Sequence, residues 1–280
     1  MFKIALDAGH GLYTSGKRCL KSLDPKETRE WVLNSRICDK IEEKLKKYDG
    51  YSVLRMDDKT GKEDIPLETR TDKANNWGAD FYLSVHHDAG VNGGSGGGAT
   101  VYVYVYPSKD SLNYQNIIYA NYIKSVGKFG NRSDPVSTKN LHVCRETNMP
   151  SVLIECGFMD SKIDVPLILS EEFAEKAAQG LTNAIVEIGG LNLKNISNEV
   201  NTNMDCKFTD ISGHYAEKAI KDLYEFGVVN GVDNTHFAPN EPITRGQAAI
   251  MIRNAIRYIT GKWNDLTMKW LNMEDMLYVL

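Results

Sequence analysis

Two histidines and two glutamates stand where metal and acid–base chemistry could be done. His10 lies in Asp7-Ala8-Gly9-His10-Gly11, just past a short apolar run and between two glycines that let the backbone turn sharply. Alone, it reads more readily as a structural histidine than as a ligand. Glu30 shares a helical stripe with Leu33, Asn34, Ile37, Ile41 and Leu45, the apolar face of a predicted helix. A carboxylate on that face needs a partner or a metal ion, unless it reaches solvent from the helix end. His86 and His87 follow Ser84-Val85, and side chains alternate along a strand, so only one of the two can readily join a given site. Glu155 ends the apolar run Ser151-Val152-Leu153-Ile154. A buried carboxylate with a raised pKa suits a general base; the alternative is a structural ion pair with Arg145 or Arg70.

Glu27 competes with Glu30. Asp24-Pro25-Lys26-Glu27 has the form of a helix start, with Asp24 as cap, Pro25 in the first helical position and Glu27 at the capping-box site. Two histidines, one carboxylate and an open position form a known catalytic zinc arrangement. A second carboxylate would take a proton from water and pass it to a leaving amine, which is metal-assisted amide hydrolysis.

The elements that must position these groups follow from periodicity. Residues 2–6, 51–56, 81–85, 100–106 and 151–158 read as strands. Residues 24–45, 67–76, 112–126 and 171–188 read as helices, the last ending at Gly189-Gly190. This alternation predicts an α/β domain over residues 1–190, with His10, His86 and Glu155 at the carboxyl ends of strands, where ligands bind. The glycine-rich stretch 93–98 lacks the Gly-Lys-Ser/Thr of a phosphate loop and is expected to be a flexible loop at the lip of a cleft. Residues 191–206, rich in Asn, Ser and Thr, read as a linker. A small, mostly α-helical domain follows over residues 207–280, with helices at 216–226 and 244–260 and a tail whose Trp263, Trp270, Leu271, Met276 and Leu277 suggest packing.

The segments of the first domain together resemble the zinc-dependent N-acetylmuramoyl-L-alanine amidases of the type-3 amidase family. The resemblance rests on Asp7-Ala8-Gly9-His10-Gly11, on Glu30 with Asn34 four residues on, on Ser84-Val85-His86, and on Leu153-Ile154-Glu155-Cys156-Gly157-Phe158. It implies a twisted mixed β-sheet flanked by helices, one zinc ion per chain held by His10, Glu30 and His86, Glu155 as the catalytic glutamate, and peptidoglycan as substrate. It selects Glu30 over Glu27 and His86 over His87. His87-Asp88 departs from the Ala-Asn usual after the second histidine, and Cys156 from the usual threonine or serine.

The second domain resembles an S-layer-homology module, on Phe208-Thr209-Asp210-Ile211, His214-Tyr215-Ala216, Gly227-Val228-Val229-Asn230-Gly231, Phe237-Ala238-Pro239-Asn240 and Ile243-Thr244-Arg245. That family binds secondary cell-wall polysaccharides, which implies Arg245 as an anion contact. Such modules usually come in threes, so chains are expected to associate as a homo-oligomer through residues 207–280; the alternative is a single degenerate repeat that packs or dimerises.

Composition narrows the class further. The chain of 280 residues is 42% hydrophobic and 25% charged, with a net charge of -4, which argues against nucleic acid as a partner. No stretch is long and apolar enough to span a membrane. The five cysteines show no CxxC pair and read as reduced thiols. The start Met1-Phe2-Lys3 runs directly into a strand, so no signal peptide is expected. The protein would be made in the cytoplasm and act at the wall after release, as an endolysin. A spore-lytic amidase and an inactive wall-binding protein are the alternatives.

Overall fold

In the computed structural model, which describes residues 1–194 and 206–260, the alternating apolar runs assemble into one six-stranded sheet. In chain order the elements are β1 (Phe2–Ala8), α1 (Glu30–Leu45), β2 (Tyr48–Asp49), β3 (Tyr51–Arg55), α2 (Leu67–Trp77), β4 (Phe81–Asp88), β5 (Thr100–Val103), α3 (Lys109–Val126), β6 (Val136–Thr138), α4 (His142–Arg145), β7 (Ser151–Phe158), α5 (Val165–Ile168), α6 (Glu171–Gly189) and β8 (Asn192–Leu193). The strand order is β3-β1-β4-β7-β5-β6. The first four are mutually parallel; β5 runs antiparallel to β7 and parallel to β6. This is the expected mixed sheet.

The period of two sorts the side chains. Ile4, Leu6, Phe81, Leu83, Val85, Val152 and Ile154 pack on one face with residues of α1, α3 and α6. Ala5, Tyr82, Tyr102 and Leu153 pack on the other with Ala74 of α2 and Val143 of α4. Toward the carboxyl ends of β1, β4 and β7 this second face turns polar: Asp7, Ser84, His86 and Glu155 continue the parity of Ala5, Tyr82 and Leu153. That change of character on one face creates the site.

Three expectations are corrected. The first helix begins at Glu30, not Asp24, because the Asp24 carboxylate accepts the backbone N–H groups of Lys26 and Thr28 and closes a local turn. Residues 18 and 29 pair as an isolated bridge, keeping Arg29 extended. Glu27 therefore caps no helix. It sits at φ 48°, ion-paired with Arg18 at 3.3 Å. The sheet strand expected over 100–106 ends at Val103, and β6 joins the sheet edge unanticipated. The expected linker begins late, because Leu191 is buried and Asn192–Leu193 pair antiparallel with β2.

The chain divides into two units, Met1–Lys194 and Asn195–Leu280. In the second, Phe208, Ile211 and Ile220 form a small core with Tyr224 and Phe237 beside α7 (Glu217–Glu225). The Asp210 carboxylate accepts N–H groups from Phe237 and Ala238 and ties the connection leading to α8 (Arg245–Thr260). The rest of the expected linker, residues 195–205, and the apolar tail with Trp263 and Trp270 lie outside the described residues. No described helix is long and apolar enough to cross a membrane.

Candidate active site

The chain leaves β1 through a turn with no room for side-chain bulk. A Cβ on Gly9 would come within 2.0 Å of the His86 ring. His10 itself sits at φ 67°, a strained region for a residue with a side chain. Arg70 of α2 holds this turn, donating to the carbonyls of Ala8 and His10, each at 2.9 Å.

Glu30 opens α1 and is buried. Although α1 packs on the opposite sheet face, its first turn reaches the strand ends, and Glu30 Oε1 lies 3.3 Å from His10 Nε2 and 3.1 Å from His86 Nδ1. The same oxygen accepts the backbone N–H of His87 at 3.2 Å. Glu30 Oε2 lies 3.5 Å from Lys17 Nζ but has no hydrogen-bond partner. Burial pushes the Glu30 carboxyl upward, yet the bonds from His10 and His86 outweigh it and hold the group well below the usual range. One ligand atom each from His10, Glu30 and His86 lie within 4.8 Å of one another, and no other such group occurs among the described residues.

A relay backs His86. Its Nε2 is 3.1 Å from Ser84 Oγ, which donates to Asp7 Oδ2 at 2.7 Å; Asp7 Oδ1 accepts from Arg70 at 2.6 Å. Burial disfavours a charged Asp7, but the Arg70 guanidinium, His86 and the Ser84 hydroxyl together outweigh it and hold its pKa below the ordinary value. Pattern reasoning missed this role for Asp7, Ser84 and Arg70. The available signal was a polar residue in each of two apolar strands, on the parity of His86.

Glu155 pairs across the sheet with His86 in the β4–β7 register. Its Oε2 is buried with no hydrogen-bond partner. The alternative of a structural ion pair finds no support, since Arg70 is bound to Asp7 and Arg145 to Glu146. Burial, with Glu30 and Asp88 nearby, pushes the Glu155 carboxyl up to about 8 against the opposing pull of His86. His87 points to the other face, buried beneath α1, with Nδ1 2.8 Å from Asn34 Oδ1. Burial drives its pKa down to about 3, so it stays neutral.

The surroundings form a recess rather than a flat surface. A cleft of about 270 Å3 opens beside His10 and His86, walled by Asp64, Ile65, Pro66 and Leu67. The glycine-rich loop after β4 is held rather than free: the Asp160 carboxylate accepts N–H groups from Gly90, Val91 and Asn92, and Asp164 accepts from Gly98. Arg245 belongs to the second unit, where it is exposed at the start of α8 and makes no ion pair among the described residues.

Residues 4–187 match a family model described as N-acetylmuramoyl-L-alanine amidase. Residues 207–249 match the S-layer homology domain. A sporulation-specific N-acetylmuramoyl-L-alanine amidase of Bacillus subtilis (strain 168) is 33% identical over 202 residues, spanning 70% of this chain and 71% of that protein. An endolysin of Bacillus phage SPP1 is 32% identical over 190 residues, spanning 68% of this chain and 66% of the endolysin. The crystal structure of an N-acetylmuramoyl-L-alanine amidase from Clostridium difficile 630 superposes with a TM-score of 0.60 at 26% identity, covering 66% of this chain and 95% of that one.

Proposed function

Because the chain belongs to the N-acetylmuramoyl-L-alanine amidase family, we propose that His10, Glu30 and His86 hold one zinc ion and that Glu155 is the general base of its reaction. The chain is a peptidoglycan hydrolase that cleaves the amide between N-acetylmuramic acid and L-alanine. The observation carrying the site assignment is the convergence of the three ligand atoms within 4.8 Å, with Glu155 across the sheet from His86. Two imidazoles and one carboxylate are a donor set that zinc accepts while leaving a position open. The buried, unpartnered Oε2 atoms of Glu30 and Glu155 fit a site arranged around a cation and a substrate.

When bound, zinc supplies a Lewis acid that polarises the scissile carbonyl and eases deprotonation of water. Glu155 takes the proton of the attacking water on its carboxylate and delivers it to the L-alanine nitrogen as the C–N bond breaks. The lactyl group then leaves as a carboxylic acid and the stem peptide as a free amine. Its high pKa suits both halves of that transfer. The Ser84–Asp7–Arg70 relay holds the outer nitrogen of His86 and leaves Nδ1 toward Glu30. The cleft beside His10 offers room for the substrate chain.

The S-layer homology match implies association with the cell wall. We assign catalysis to residues 1–190 and wall binding to residues 207–280, with a secondary wall polysaccharide as ligand and Arg245 as its anion contact. Similarity to a phage endolysin supports a lytic role; similarity to a sporulation-specific amidase supports spore-wall lysis as the second reading. Digestion of purified peptidoglycan tests the reaction. New L-alanine amino groups must appear without new glycan reducing ends, and the active protein must carry about one zinc per chain.

A further inference from the structure

His87 and Asn34 belong to no predicted ligand set, yet they join all three segments that carry one. Asn34 lies one turn after Glu30 on α1, and both residues are buried. Its Nδ2 donates to the carbonyl of Gly9, immediately before His10, at 3.1 Å. Its Oδ1 is 2.8 Å from Nδ1 of His87, immediately after His86. The backbone N–H of His87 in turn donates to Glu30 Oε1.

The direction of every bond in this chain follows from one group. A carbonyl oxygen can only accept, so the Asn34 amide must turn its NH2 toward Gly9. Its oxygen then faces His87, whose Nδ1 must carry the proton. The other ring nitrogen, Nε2, is buried with no partner, so it is left as a bare acceptor. A histidine at this position therefore serves as the donor that anchors the oxygen side of the asparagine. Without it, Asn34 Oδ1 is left buried and unpaired, and the bond to Gly9 alone must hold the amide.

We propose that His87, through Asn34, is a positioning residue for the metal-binding cluster: its Nδ1–H fixes the Asn34 amide, which fixes the strained turn presenting His10 opposite Glu30. This rests on the zinc reading above. Groups that orient first ligands are worth roughly 10- to 100-fold in metal affinity, and an error of one ångström in a ligand-bearing turn is enough to lose that.

Three measurements on the full chain test it. In the zinc-free wild type, nitrogen NMR of the ring must show His87 in the Nδ1–H tautomer; the Nε2–H tautomer overturns the proposal. Zinc affinity, measured by competition with a chromophoric chelator, must fall by roughly 10-fold or more in His87→Leu and in Asn34→Leu. His87→Asn, whose amide NH2 can stand in for Nδ1–H, must recover most of the loss. Circular dichroism and melting of each zinc-free variant separate this from unfolding. If His87→Leu does not fold, the tautomer and the affinity of His87→Asn decide alone, and an Asn variant that folds but binds zinc as poorly as Asn34→Leu overturns the proposal. A folded His87→Leu that binds zinc like the wild type also overturns it. If the wild type itself binds no zinc, the metal reading has failed instead.

Discussion

Glu155 stands across the parallel β4–β7 pairing from His86, which puts a carboxylate with a buried, unpartnered oxygen beside a histidine of the His10–Glu30–His86 cluster. The pairing follows from register alone, because Val85 and Ile154 before them are partners buried in the same core layer. A slip of one residue in either strand would move its group to the opposite face and part the two.

The first prediction separates the base from the ligands. Glu155→Gln keeps the shape and removes the proton acceptor, so kcat on peptidoglycan should fall by roughly 100- to 10,000-fold while zinc content stays at wild-type level. Loss of zinc in this variant would show that Glu155 is a ligand.

The ligand set is tested by substitutions at His86 and at the competing glutamates Glu30 and Glu27. His86→Ala and Glu30→Gln should release the metal, measured by elemental analysis after dialysis. Glu27→Gln should retain it, because Glu27 lies outside the cluster, paired with Arg18.

Burial of Glu155 predicts a pH dependence of stability in the zinc-free protein. Its folded-state pKa is raised from 4.5 to about 8, so the folded state favours the protonated carboxyl. Its stabilising share is complete below the unfolded value and is lost as pH rises toward 8. Relative to Glu155→Gln, the wild type should lose on the order of 1 kcal/mol per pH unit between about pH 5 and pH 8. Urea unfolding curves that keep a constant separation across that range would sink the assignment.

The Arg70–Asp7 pair is buried on both sides. Arg70→Met leaves the Asp7 charge without its cation and frees the carbonyls of Ala8 and His10, so unfolding should cost roughly 3–5 kcal/mol less than in the wild type. Adding Asp7→Asn removes the stranded charge, and the double variant should be less destabilised than the sum of the single changes.

In the second unit, Arg245→Ala should weaken sedimentation of the full chain with cell walls that retain their secondary polysaccharide, and should leave binding to stripped walls unchanged. Hydrolysis of soluble muropeptides should not respond.

Much of the fold was legible because apolar periodicity is a local property. The strand that leads into His10, those carrying His86 and Glu155, the apolar stripe of α1 with Glu30 on it, and the S-layer-homology-like helices all follow from spacing along the chain. Helix onset was not legible: Asp24 looks like a cap in sequence, but its carboxylate closes a turn with Thr28 and the pairing of residues 18 and 29 holds the chain extended until Glu30. Short edge elements such as β6 and β8 carry too few residues to show a period at all.

The sequence by itself determined which residue types stand at which strand ends, and hence that two imidazoles and two carboxylates were available for chemistry at one sheet edge. Pattern alone left Glu27 against Glu30, His86 against His87, and Glu155 as either a base or an arginine's partner. Tertiary structure brings Glu30 and His86, not Glu27 and His87, together with His10, a matter of distances between residues far apart in the chain. Arg70 is taken by Asp7 and two backbone carbonyls, so Glu155 stays unpaired. The strand parity that brings His86 to Glu30 sends His87 under α1 to meet Asn34.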